Sequence, residues 1–81
     1  MASRDFSGEE IVSVLQSFGF RRDRTSGDHV VLKYTHPETG QKRTVTFPLH
    51  DRVRVGTLQS IADQCGADDF QEWCEWIDDH R

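Results

Sequence analysis

The apolar residues of this 81-residue chain change their spacing twice, and that change restricts the fold more than any other feature. Ile11, Val14, Leu15 and Phe18 recur three and four positions apart, the interval of one helix face. From residue 20 to residue 48 the interval falls to two, through a stretch rich in β-branched and aromatic residues, as strands require. Helical spacing then returns twice, in Leu58, Ile61, Ala62 and Cys65 and again in Phe70, Trp73, Cys74 and Ile77. Strands that follow one another with only short turns between them pair antiparallel. The pattern therefore predicts an α+β domain of order αβββαα, a three-stranded antiparallel sheet with helices packed on one face.

Local signals place the boundaries. Ser7 with Glu10 three residues on makes a capping box, Phe6 can staple onto Ile11, and Gly19 ends the first helix. Strands are predicted over 20–25, 29–36 and 41–48, with Ser26-Gly27-Asp28 and Pro37-Glu38-Thr39-Gly40 as turns. Residues 49–56 form a loop holding His50, Asp51, Arg52 and Arg54. Thr57 reads as the N-cap of the second helix and Gly66 as its end. Asp68, with Gln71 at the capping-box position, opens an acidic amphipathic helix within 67–81. Alternation then sorts the sheet. Val30, Leu32 and Tyr34 share one face with Val45 and Phe47, beneath the helices, while His29, Val31, Lys33, Thr44 and Thr46 point the other way.

Size and charge narrow the function. A chain this short buries only about 60–65% of its unfolded surface, so residues 1–81 make one domain whose site is shallow. No run of about 18 apolar residues is present, so no membrane partner is expected. Residues 1–5 contain no signal-peptide core, and two cysteines, Cys65 and Cys74, are too few for a disulfide scaffold and have no zinc spacing. The expectation is a soluble cytoplasmic protein with reduced thiols. The net charge of −4 is unevenly spread: residues 1–20 carry −2, residues 21–54 carry +4 and residues 55–81 carry −6. A basic middle between acidic ends suits an anionic ligand at the middle, and equally an ordinary solvated surface.

Few groups are available for chemistry. No two histidines share a helix face, no acidic cluster has calcium-loop spacing, and no glycine-rich phosphate loop is present, so no metal and no small-molecule cofactor is expected. His80 lies at the chain end, His36 before Pro37 serves a turn, and His50 follows Pro48-Leu49 at a strand end, which suits a structural role first. His29 differs in opening a strand directly after a tight turn, with its ring on the open face.

Gly19-Phe20, Arg24, Gly27-Asp28-His29, Tyr34, His36-Pro37, Gly40, Val45 and Pro48-Leu49-His50, followed by Gly56-Thr57-Leu58, Ser60-Ile61 and Gln64-Cys65-Gly66, resemble the HicA toxins in order and spacing over roughly residues 7–77. The resemblance implies a fold similar to the double-stranded-RNA-binding domain and an mRNA endonuclease held inactive by a HicB antitoxin. It also implies that His29, at the position of the family's Gly-Ser-His-like turn, is the catalytic residue. Two features depart from the family pattern: Asp28 stands where Ser or Asn is usual, and the chain is acidic where such toxins tend to be basic. Two Lys against eight Arg, and nine Asp against five Glu, fit a salt-rich cytoplasm, in which phosphate attraction by a basic surface is weak.

Two function classes follow. A nuclease can use the RNA 2′-hydroxyl as an internal nucleophile, so that one histidine, His29, suffices as general acid or base without a metal. Arg24, Lys33, Arg43 and His50 would then hold the mRNA, the cations as phosphate contacts. The alternative is a non-catalytic RNA-binding or protein-interaction module of the same fold. For the toxin, an acidic patch on a HicB-like partner is expected over His29 and the basic middle, with Arg24, Lys33 and Arg43 at the interface and the acidic third helix away from it.

Overall fold

The computed structural model describes residues 5–81. The reading of the N-terminal stretch as lacking a signal-peptide core falls largely on residues 1–4, which lie outside the described residues. The element order is α1 (Gly8–Ser17), β1 (Arg21–Ser26), β2 (His29–Thr35), β3 (Lys42–Pro48), α2 (Val55–Gln64) and α3 (Phe70–His80). The three strands form one antiparallel sheet in the order β1-β2-β3. The architecture is α+β, αβββαα, as the spacing predicts.

The capping box of α1 is complete. The Glu10 N–H donates to Ser7 Oγ at 3.1 Å, and the Ser7 N–H donates to Glu10 Oε1 at 2.9 Å. Phe6, just before the cap, is fully buried, as a staple residue should be. The helix buries Ile11, Val14 and Leu15 against the sheet, together with Val12 beside that stripe.

Register decides which residues share a face. His29 pairs with Pro48, Val30 with Phe47, Val31 with Thr46, Leu32 with Val45, Lys33 with Thr44 and Tyr34 with Arg43. Directly opposed residues point to the same side. Val30, Leu32, Val45 and Phe47 are buried with Leu15, Leu58, Ile61 and Ile77 in a single core, whereas Lys33, Thr44 and Thr46 are exposed. The pairing of β1 with β2 slips between Arg22 and Arg24: Arg22 stands opposite Leu32 and Arg24 opposite Val31. Asp23 is thus the extra residue of a β-bulge.

The strands differ from expectation by one residue, β1 at both ends, β2 in ending at Thr35 and β3 in starting at Lys42, and two helix starts differ as well. Helix α2 starts before Thr57, with Arg54 at the N-cap and no side-chain cap bond. The reason is tertiary: the Val53 N–H donates to the Phe6 carbonyl at 2.8 Å and Val53 is buried, which fixes the chain where the helix can begin. Helix α3 is capped by Asp69 rather than Asp68. The Asp69 carboxylate accepts the Glu72 N–H at 3.1 Å, and Gln71 bonds Glu75 one turn on. The end of α3 returns to α1 through Arg81, which donates to the Asp5 carbonyl at 2.8 Å and lies over the Phe6 ring at 4.7 Å.

Candidate functional site

The site forms where the tip of the β1–β2 hairpin meets the loop after β3. Ser26 pairs with His29, so Gly27 and Asp28 alone make the turn. Gly27 takes a φ of 61° while Asp28 stays at negative φ, the pattern of a hairpin loop with glycine in first place. This tight turn fixes the direction of both Asp28 and His29.

The segment carrying His50 is fixed by its backbone. The Leu49 N–H donates to the Asp28 carbonyl, and the Gly8 N–H at the start of α1 donates to the His50 carbonyl at 2.9 Å. Gly8 has no room for a side chain, since a Cβ there would lie 2.7 Å from Leu49 Cα. Turn, helix start and strand end therefore converge on one point.

There the Asp28 carboxylate lies between two imidazoles. Its Oδ1 is 2.8 Å from His29 Nδ1 and its Oδ2 is 3.5 Å from His50 Nε2. All three side chains are more than half exposed, at 62% for Asp28, 56% for His29 and 54% for His50. The His29 hydrogen bond holds the Asp28 carboxyl below the usual carboxylate range against desolvation, with smaller help from the Asp28 backbone N–H and from the charges of His29 and His50. An ionised carboxylate only accepts. His29 Nδ1 must therefore carry a hydrogen towards it, which leaves His29 Nε2 uncommitted to Asp28, while His50 Nε2 stands within ion-pair distance of the second oxygen.

The bulge places Arg24 on the open face, with Val31 and Lys33. Arg21 stands opposite Lys33, and Lys33 Nζ is 3.7 Å from Asp23. A shallow groove of about 500 Å³ runs along this edge between Arg21, Asp23, Lys33 and Thr35. Arg22 goes to the other side and pairs with Glu9 of α1 at 3.1 Å.

Of the five residues singled out from the sequence, the structure joins His29 and His50 through Asp28 and sets Arg24 and Lys33 on the same face as His29. Arg43, also expected among the phosphate contacts, lies apart from them. It stands opposite Tyr34 on the helix-covered side, where its Nη1 donates to the Gln64 carbonyl at the end of α2, at 3.4 Å. Its guanidinium fills the space over Gly66, where a Cβ would meet it at 2.6 Å. Arg43 satisfies an otherwise open helix-terminal carbonyl.

Two residues of this region escape sequence reasoning. Asp28 stands out in the sequence only as a departure from a family pattern, though an acid directly before a turn histidine is the available signal. Gln64 closes the outer edge of β3: it accepts the Thr46 N–H at 2.9 Å and donates to the Thr46 carbonyl at 3.2 Å. His36 serves its turn by accepting the N–H groups of Glu38 and Thr39, and His80 donates to the Trp76 carbonyl at 2.7 Å. Among the described residues no group of three or more His, Cys, Asp or Glu is placed to hold a metal ion. No helix among them is long and apolar enough to cross a membrane.

Compared with protein families, residues 8–67, about three quarters of the chain, match the model of the HicA toxin of bacterial toxin–antitoxin. The chain belongs to the HicA toxin family. No curated protein and no solved structure matches it. The matched span of this HicA toxin contains Arg24, Asp28, His29, Lys33, Arg43 and His50 and stops before α3. Membership in a toxin–antitoxin family gives the protein a cognate antitoxin as partner.

Proposed function

We propose that this HicA toxin is a metal-independent endoribonuclease that cleaves mRNA in the cytoplasm, with His29 as general acid or base. The observation that carries the reading is the His29 ring itself: it is exposed beside a two-residue hairpin turn, bonded through Nδ1 to Asp28, with Nε2 free for substrate. As the 2′-oxygen of RNA attacks the adjacent phosphorus its proton must leave, and as the bond to the 5′-oxygen breaks that oxygen must gain one. An imidazole titrates in the range where it can do either. Such assistance contributes about 10²–10⁴-fold. Arg24 and Lys33, on the face of His29, would position phosphates without reading sequence. A HicB-type antitoxin would silence so shallow a site by covering it with an acidic surface.

His29→Ala tests the reading. Cleavage of RNA should be lost while the far-UV circular dichroism is unchanged, because an exposed ring contributes little to the core. EDTA should leave wild-type cleavage intact. Full cleavage by the variant would remove the assignment. RNA binding unaffected by the substitution, in a wild type that never cleaves, would identify a binding module instead.

A further inference from the structure

We propose that His29 and His50 act as the two halves of one acid–base pair and that Asp28 is the positioning residue that holds both, an inference that rests on the nuclease reading above. RNA cleavage through the 2′-hydroxyl moves two protons, one off the 2′-oxygen and one onto the leaving 5′-oxygen. A single imidazole serves one of these at a time. Here two imidazoles meet the two oxygens of one carboxylate, His29 Nδ1 at 2.8 Å and His50 Nε2 at 3.5 Å. Each keeps its other nitrogen uncommitted to Asp28.

The arrangement is not explained by stability. The backbone of the His50 segment is already held by Leu49 N–H to Asp28 C=O and by Gly8 N–H to His50 C=O. The three side chains are more than half exposed, and exposed ion pairs add little to folding. What the carboxylate does supply is orientation and charge. It fixes Nδ1 of His29 as the nitrogen that bears hydrogen, and it sets a negative charge 3.5 Å from His50 Nε2. The charged or titratable groups on Asp28 are His29 from β2 and His50 from the loop after β3, while α1 contributes the Gly8 N–H to the same junction.

In the step itself the neutral imidazole takes the 2′-hydroxyl proton as the 2′-oxygen–phosphorus bond forms. The imidazolium gives its proton to the 5′-oxygen as the phosphorus–5′-oxygen bond breaks. The pair ends with its protonation exchanged and resets through solvent. Such a pair gives a rate that falls at both low and high pH.

The experiment compares pH–rate profiles of RNA cleavage for wild type, His29→Ala, His50→Ala, His50→Gln and Asp28→Asn. Wild type should show a bell. Each His50 variant should lose about 10²–10⁴-fold in kcat with KM little changed, and one limb of the bell should vanish. Asp28→Asn should retain more activity than either histidine variant, with kcat lowered and KM little changed, because the rings remain but lose the carboxylate that orients them. The nitrogen shifts of the His29 ring, read by NMR in wild type and Asp28→Asn, supply a second readout that does not depend on the histidine variants folding. The Nδ1–H tautomer of neutral His29 should be less populated in the variant, where the carboxylate that accepts from it is gone. Loss of activity in His29→Ala alone, with His50→Ala retaining the full two-limbed profile, would overturn the pair and leave the nuclease reading standing. A His29 tautomer balance unaltered by Asp28→Asn, with kcat unaltered as well, would overturn the positioning role, and a wild type without cleavage would end both readings.

Discussion

Under the helices, the sheet presents Val30, Leu32, Val45 and Phe47, all buried; on its other side it presents Val31, Lys33, Thr44 and Thr46, and Arg24 joins them. The two faces are built from alternate residues of the same strands, so they share backbone, register and temperature of melting. They differ in what a cation does there. Lys33 on the open face meets Asp23 and solvent, whereas Arg43 on the covered side bonds the carbonyl end of α2 and packs over Gly66. Basic residues close in sequence thus divide into one group available to a polyanion and one that fastens a helix to the sheet. Total charge does not distinguish them, but the direction of the side chain does.

The largest effect should come from breaking the covered face. Phe47→Ala should destabilise by about 3–5 kcal/mol and Leu32→Ala by about 2–5 kcal/mol, as large-to-small core changes do. Val31→Ala, one residue away on the same strand, should lose less than about 1 kcal/mol. Urea denaturation of the three variants measures this directly. Equal losses at Leu32 and Val31 would mean that the faces are not distinct.

Much of this division is legible in the sequence. The capping box, the change of period and the alternation through residues 29–35 yield the element order and the buried set, because each depends on neighbours within a few positions. What escapes depends on distant partners. The bulge between Arg22 and Arg24 has no glycine to mark it, yet it decides that Arg22 turns to Glu9 and Arg24 to the open face. The start of α2 is set by Val53 bonding Phe6, so Thr57, a good cap by composition, lies inside the helix. Asp28 and His50 are brought together only by closure of the hairpin tip onto the end of β3 and the Gly8 backbone. Arg43 is a different case, since its parity with Val45 already places it under the helices, while its charge alone groups it with Arg24 and Lys33.

The next effect sharpens the comparison from the covered side. Burial pushes the Cys65 thiol up to about 11, against the smaller opposing influences of the Trp73 indole and Arg43. The folded state therefore keeps a proton that the unfolded chain gives up near the ordinary value of 9.0, and stability falls as pH rises from about 9 to about 11. The loss is on the order of 2–3 kcal/mol at most. Cys65→Ala should flatten that alkaline decline in thermal melts. Cys74 is buried, Cys65 is partly buried and neither is in a disulfide, so both should react slowly with a thiol reagent at about pH 8 until the protein is unfolded.

A smaller effect separates the two kinds of cation. Arg43→Ala should lower stability by about 1 kcal/mol through the missing bond to Gln64, leaving RNA affinity per folded molecule unchanged. Lys33→Glu with Arg24→Glu should do the reverse: stability stays within about 0.5 kcal/mol, RNA affinity falls, and its salt slope weakens by about 0.7 for each phosphate no longer neutralised. Affinity measured across a salt series decides it, and an Arg43 variant with the larger salt effect would reverse the assignment of faces.

The smallest effect belongs to Asp28, at the edge of the open face, and it has the opposite sign in pH to that of Cys65. Its carboxyl titrates below the ordinary value of 3.8, chiefly because His29 donates to it. In the unfolded chain that bond is gone, so as acid is added the unfolded state takes up its proton first. The contribution of Asp28 is therefore present above the ordinary carboxylate value and is lost as pH falls through the lowered one. Because the group is exposed, solvent screens the interaction and the effect on folding is slight. It is best read as a difference: melting temperatures of wild type and Asp28→Asn should run parallel from about pH 5 to 7 and draw together below about pH 4, where the wild-type carboxylate is neutralised. Melting curves that stay equally separated down to about pH 2 would show that the His29–Asp28 bond does not depend on the carboxylate charge. That result would remove the electrostatic reason for placing an acid, rather than Ser or Asn, beside His29.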